Sequence, residues 1–356
     1  MKIAVLGGGN GAFAAAADFT EAGHEVRLWR TNPEAARQAT TITVKDARGQ
    51  RAITPALVTA DLAAAISGAA LILAPAPATT HEALAPQLAP LLEDGQVVFL
   101  TPGTLGTVIL ARALHAHRPG ARVAFAETGT LPWLARKHGP ELVAITVRAK
   151  RLPVGVFPLA LADHAIATIG AAFPGVIEPC GDALSGALMN AGPIIHPPLI
   201  TMNAGPLEHF PKWDIHKEGT QRSIRRVTDA LDAERVATRE ALGYAAPHFP
   251  LADHYAKEGP EWCYGRGSHD RLTDSGDWRE NIVLTEHRYM REDTRLGLSL
   301  LIDAGRVAGL PTPLARAFLA IGSAICAEDF LESRTLARCG LPTDGAGRAK
   351  VLRDGF

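Results

Sequence analysis

The feature that most narrows the folds open to this chain lies at residues 7–12, where GGGNGA separates two apolar segments. Lys2 to Leu6 (KIAVL) is a short apolar run with β-branched members and reads as a strand. The alanine-rich AFAAAADFTEAG behind the glycines reads as a helix that stops at Gly23. His24 to Trp29 (HEVRLW) alternates polar and apolar residues and reads as a second strand. The loop fits G-x-G-x-x-G/A through Gly7, Gly9 and Ala12. Gly7 permits the tight turn out of the strand, Gly9 lets backbone approach a pyrophosphate, and Ala12 lets the helix pack close to the strand. Asn10 and Gly11 open the helix, whose free N–H groups and partial positive charge suit a phosphate. A lone glycine motif says little. One that follows a strand, opens a helix and precedes a second strand points to a dinucleotide, and the expected class is an NAD(P)-dependent oxidoreductase.

The pattern continues. Leu71 to Ala74 reads as a strand running into the loop Pro75–Pro77, Leu84 to Leu92 as a helix, and Gln96 to Leu100 as a strand ending in TPGT. Val123 to Ala126 leads into ETGT, and Val143 to Val147 reads as a further strand. Near residues 175–185 strand signals give way to helical ones. Ile224, Val227, Leu231 and Leu242 lie on one helical face, as do Leu296, Leu300, Ala304 and Val307. Gly259 to Asp277 reads as a loop. The expected fold is α/β: an N-terminal Rossmann-type doubly wound parallel sheet over residues 1–178 and an all-helical domain over 179–356, a division that also suits the 356-residue length.

Composition excludes several classes. The formal net charge of -1 leaves no basic excess for nucleic acid, and no polybasic run marks a membrane surface. The most apolar stretch, Ala69 to Ala78, is short and holds two prolines, so no membrane span is expected. The strand beginning at Lys2 leaves no room for a signal peptide. The four cysteines show no C-x-x-C spacing and read as reduced thiols of a cytoplasmic protein. The 13 histidines form no H-E-x-x-H, so no metal is expected, and no G-x-S-x-G marks a hydrolase.

The second strand ends at Trp29-Arg30-Thr31-Asn32. An NAD site usually places a carboxylate there for the ribose hydroxyls. Arg30 stands in its place, and a guanidinium can pair with a 2′-phosphate, which favours NADP over NAD. Thr31, Pro75 and Pro77 complete the expected cofactor rim. Glu127 sits at a strand end facing the crevice, either near the nicotinamide or as a loop cap.

Two segments of the second half stand out. Residues 189–205 read MNAGPIIHPPLITMNAG, with His196 followed by two prolines that interrupt or start a helix. A histidine beside apolar residues is more often a core residue, but the flanking NAG triplets and the double proline are odd for a plain helix. Residues 286–293 read EHRYMRED, with Asp293 placed to cap the helix that begins at Thr294. Arg288 and Asp293 would lie about 140° apart on a continuous α-helix, and could converge only in a loop or helix entry.

With GGGNGA, ETGTLPWLAR at 127–136, the NAG–HPP–NAG segment, HRYMRED and GLPTP at 309–313 in hand, the chain resembles the octopine/nopaline dehydrogenase family over nearly its whole length. The resemblance implies a reductive condensation: an amino acid's amine attacks an α-keto acid, and the imine is reduced with NAD(P)H. It implies His196 as the proton-transfer residue, Asp293 as the carboxylate holding it, and Arg288 as the keto-acid carboxylate ligand. The partners so implied are an amino acid and an α-keto acid; a homodimer, the amino acid's identity and the roles of His209 and His216 stay open. Two rival readings also remain: a simple dehydrogenase of a hydroxy acid, polyol or sugar phosphate, for which Arg222–Arg226 (RSIRR) could supply cations, and a dinucleotide sensor without turnover.

Overall fold

The computed structural model describes residues 1–356. The N-terminal half supplies β1 (Lys2–Leu6), β2 (Glu25–Trp29), β3 (Ile42–Asp46), β4 (Gly49–Ile53), β5 (Leu57–Thr59) and β6 (Leu71–Ala74). It continues with β7 (Val97–Leu100), β8 (Ala124–Thr128), β9 (Trp133–His138), β10 (Leu142–Arg148), β11 (Leu152–Phe157) and β12 (Ile177–Asp182). Eight of these form one sheet in the order β12-β11-β8-β7-β6-β1-β2-β5. From β5 to β8 every pairing is parallel; β11 then runs antiparallel to β8. The strand order reverses between β1 and β6, which opens a crevice at their C-terminal ends. Gly7 follows β1 and Pro75 follows β6, so the glycine and proline loops face each other there.

The strand period of two sorts the sheet's side chains. Ile3, Val5, Leu71, Leu73, Val97 and Phe99 belong to one buried cluster, with the alanine-rich Asn10–Glu21 helix. Their neighbours Ala4, Leu6, Ile72, Ala74, Val98 and Leu100 belong to another, which continues into Leu231, Leu298, Leu300 and Phe318 of the helical half. The two halves therefore share one continuous core.

The chain departs from a plain alternating sheet at two places. Val143 to Val147 is a strand, but it belongs to a second, four-stranded sheet in the order β4-β3-β10-β9. The β3–β4 hairpin, with Ile42 opposite Ile53 and Asp46 opposite Gly49, carries charge and exposure on much of its surface, which blurs its apolar signal. The second half is built of the helices Gly192–Met202, Arg222–Ala241, Leu298–Val307 and Pro313–Cys326, with a two-residue ladder joining Trp213–Asp214 to Arg279–Glu280 as its one strand pairing. The stretch read as a loop over 259–277 contains a short helix, Ser268–Asp274.

The helix expected from Thr294 begins earlier. Tyr289–Gly297 is π-helical and runs directly into Leu298–Val307, with the Leu298 N–H bonded to the Asp293 carbonyl five residues back. Asp293 is thus inside the helical segment and not its cap.

Candidate active site

The crevice suits a dinucleotide on its own geometry. Gly7 adopts φ +129, which a side chain would strain, and nothing lies within 4 Å of the position a Cβ would take at Gly9. The Asn10–Glu21 helix has no side-chain cap and no acid in its first turn, so its leading N–H groups are free for phosphate. A Cβ on Gly11 would come within 2.9 Å of Pro75 Cβ and 2.7 Å of Leu131 Cδ1, so its hydrogen lets both loops close. Asn10 Oδ1 accepts the Lys137 N–H at 2.9 Å, fastening the loop to β9. Ala12 is buried against the sheet.

Arg30 folds back over this loop. Its guanidinium lies 5.2 Å from the Phe13 ring centroid, and Lys137 Nζ lies 4.1 Å from the same ring. Neither cation pairs with a carboxylate, and Arg30 Nη1 is buried without a hydrogen-bond partner. Thr31 and Pro77 are exposed on the rim.

Glu127 lies near the C-terminal end of β8. It is fully buried, accepts the Leu105 N–H at 2.8 Å and is hydrogen-bonded by the Thr107 hydroxyl. It thereby caps the Gly106–His117 helix, the second of the two roles open from sequence. Burial pushes its carboxyl up to about 7, outweighing the hydrogen bonds donated to it.

His196 and Asp293 meet across two helices. His196 Nδ1 lies 2.7 Å from Asp293 Oδ2. The HPP segment lies inside the Gly192–Met202 helix, with Pro193 in its first turn. A Cβ on Gly192 would sit 2.1 Å from Asp293 Oδ1, and one on Gly297 would sit 2.2 Å from Pro193 Cγ, so two glycines allow the crossing. Asn190 Oδ1 accepts the Gly192 N–H at 2.9 Å and braces the turn. Burial drives both partners toward their neutral forms. His196 falls well below its ordinary value, through burial and then the Arg288 charge, and Asp293 rises to about 7 through burial opposed by Arg288. The pair thus shares one proton between two groups that each resist charge.

Arg288 stands at the N-terminal end of the π-helix, whose wider i→i+5 turn brings residues five apart to one side of the helix, and it lines the same cleft. Its Nε donates to Glu292 Oε2 at 3.1 Å. Glu292 is buried and accepts the Ala78 N–H at 2.8 Å on its other oxygen. The Ala78 carbonyl in turn accepts from Arg334 Nη2 at 3.0 Å. The peptide just beyond the proline loop is therefore held on both sides by the helical half.

Asn10, Arg136, His196, Trp278, Arg288 and Tyr289 all line a cleft between the halves. Tyr289 stacks on the His196 ring at 3.6 Å between centroids and 8° between planes. The Tyr289 hydroxyl lies 2.9 Å from His216 Nε2, and His216 packs edge-on against Trp278. Thr31, Pro77 and His209 do not line this cleft. Sequence reasoning passed over Tyr289, Glu292 and Arg136. For Glu292, its i,i+4 spacing from Arg288 was the available signal.

Residues 179–326 match the family model described as NAD/NADP octopine/nopaline dehydrogenase, alpha-helical domain. Residues 2–107 match the NAD-dependent glycerol-3-phosphate dehydrogenase N-terminus. The chain is 27% identical over 347 residues to the opine dehydrogenase of Arthrobacter sp. (strain 1C), covering 95% of this chain and 94% of that one. It is 27% identical over 356 residues to the vitopine synthase of Allorhizobium ampelinum, covering 96% and 95%. A solved structure of octopine dehydrogenase with NADH and L-arginine shares the fold at a TM-score of 0.67 and 18% identity, covering 100% of this chain and 98% of that one. These matches extend across both halves: residues 179–326 are similar to the helical domain of the octopine/nopaline dehydrogenases, and the two curated relatives align with nearly the whole chain.

Proposed function

We propose that this protein is an NAD(P)H-dependent opine dehydrogenase, joining an amino acid to an α-keto acid through a secondary amine. The observation that carries the reading is the buried His196–Asp293 pair, set beside Arg288 in a cleft that opens onto the glycine loop. When bound, the nicotinamide supplies the hydride. The glycine loop and the helix start at Asn10 hold its pyrophosphate. Arg30, with Lys137 beside it, holds a 2′-phosphate, so NADP is the preferred form.

Arg288 grips the keto-acid carboxylate, while Glu292 fixes the guanidinium. The amine nitrogen adds to the keto carbon, and the former carbonyl oxygen leaves as water. Asp293 holds His196 at Nδ1, which leaves Nε2 to give that oxygen a proton and to take one from the amine. The resulting carbon–nitrogen double bond receives the hydride at carbon and a proton at nitrogen, giving the secondary amine. The cytoplasm suits this reading, since it supplies reduced nicotinamide and keeps the four free cysteines reduced.

The test follows NADPH and NADH oxidation with pyruvate or 2-oxoglutarate alone, then with a panel of amino acids, and weighs the product by mass spectrometry. Oxidation that requires the amine and a product with both carbon skeletons support the reading. A full rate without amine overturns it.

A further inference from the structure

An opine carries two carboxylates, one on each carbon bonded to its nitrogen. Arg288 accounts for one of them, so the cleft needs a second cation on the far side of the reacting carbon. Among the lining residues the remaining arginine is Arg136, on β9 of the N-terminal half, whereas Arg288 comes from the helical half. Arg136 is held rigidly. Its Nη2 donates to Glu280 at 2.7 Å, and its guanidinium lies 3.8 Å from the Trp278 ring centroid. Its Nε is buried with no partner at all. Trp278 precedes, and Glu280 ends, the Arg279–Glu280 strand of the ladder with Trp213–Asp214, so the helical half positions a side chain of the sheet half.

The rest of the wall is uncharged. No Asp or Glu lines the cleft, and Leu131, Tyr255, Trp262, Tyr264 and Leu272 form an apolar and aromatic part of its wall. An aromatic wall of this kind can receive a cationic side chain, but here a cation is already in place. Arg225 sits 4.4 Å from the Tyr255 ring centroid, and Arg225 is not itself a lining residue. Arg136 and Arg288 each pair with a carboxylate behind the wall, Glu280 and Glu292, and none faces the cleft, so a lysine- or arginine-like side chain would enter without a partner for its charge.

We propose that Arg136 binds the carboxylate of the amino-acid substrate, and that the aromatic wall selects amino acids with uncharged apolar or aromatic side chains. This rests on the opine reading. The positive field of Arg136 reaches the same space in which chemistry would occur. After burial and Arg288, it helps hold His196 below its usual range, and it acts likewise on His216 and His287.

The experiment compares initial rates for phenylalanine, leucine, glutamate, lysine and arginine, and for phenethylamine, which is phenylalanine without its carboxylate. Wild-type enzyme should prefer phenylalanine or leucine to the three charged amino acids at least tenfold in kcat/KM, and should disfavour phenethylamine by roughly 100-fold. In Arg136→Gln the KM for the amino acid should rise about 30-fold or more, with the keto-acid KM little changed, and the discrimination against phenethylamine should collapse. Arg136→Lys should recover part of the loss, and NADPH fluorescence on binding reports whether each variant is folded. A best substrate among arginine, lysine and glutamate overturns the side-chain assignment. An unchanged amino-acid KM in folded Arg136→Gln, or wild-type enzyme indifferent to the loss of the carboxylate, overturns the clamp. A wild-type rate that needs no amine overturns the opine reading itself, and this inference with it.

Discussion

His196 Nδ1 lies 2.7 Å from Asp293 Oδ2, and both belong to helical segments that cross at glycines. The contact leaves one imidazole nitrogen, Nε2, for substrate. Replacing His196 by Ala should lower turnover by about 10²–10⁴-fold, with NADPH affinity retained. Steady-state kinetics and NADPH fluorescence titration check the two halves of that statement, and near-normal turnover would remove His196 from the mechanism.

Asp293→Asn keeps the shape and removes the charge that favours an imidazolium. The ability of the pair to hold its proton then weakens, so the alkaline limb of the pH–rate profile for reduction should move to lower pH. Turnover should also fall by roughly 10²-fold or more. A profile that stays in place would mean that Asp293 only orients the ring.

Gly192→Ala should act on the same contact without replacing either member of the pair. The added methyl would fall 2.1 Å from Asp293 Oδ1, a carboxylate that His196 holds in place. Stability should drop by about 1–3 kcal/mol, read from urea melts, and turnover should drop with it.

Glu292 joins Arg288 to the Ala78 peptide, and two substitutions separate these tasks. Glu292→Gln can still accept the Ala78 N–H but no longer pairs with the guanidinium; the keto-acid KM should rise while stability holds. Glu292→Ala also leaves a buried N–H without a partner, which costs about 1–3 kcal/mol in a denaturant melt. If both variants melt alike, the peptide has found another acceptor.

Glu127 provides a stability signature. Its folded-state value of about 7 stands above the ordinary 4.5. Its contribution is therefore full below the unfolded value and is lost as pH rises through the folded one, by at most about 3 kcal/mol. Glu127→Gln should gain relative to wild type as pH climbs from ~4.5 to ~8, and a flat difference across urea melts at several pH values would refute the shift.

The dinucleotide half was legible because its signals are local: an apolar strand, three small residues at fixed positions and a helix, all within the first 23 residues. The segments that carry His196, Arg288 and Asp293 could be located for the same reason. Their geometry could not. The α-helical angle sets Arg288 and Asp293 apart, and only the π-helix at Tyr289–Gly297 brings them to one side. The β3–β4 hairpin escaped because its half-exposed strands lack a clean alternation. Arg136, Trp278 and Glu292 escaped because their meaning lies in partners more than 100 residues away or across an interface, such as Arg136 to Glu280 at |i−j| of 144.

The buried cluster that runs without a seam from Leu6 and Ile72 to Leu298 and Phe318 bears on how such enzymes diversify. The underside of the sheet is also the floor of the helical half. Exchanging that half for a relative's would replace the floor and leave the strands facing foreign side chains. Shuffling of whole halves is therefore a poor route to a new substrate. New specificities arise most readily by single replacements in the cleft wall, where a residue such as Leu272 or Tyr255 can change without rebuilding the scaffold beneath it.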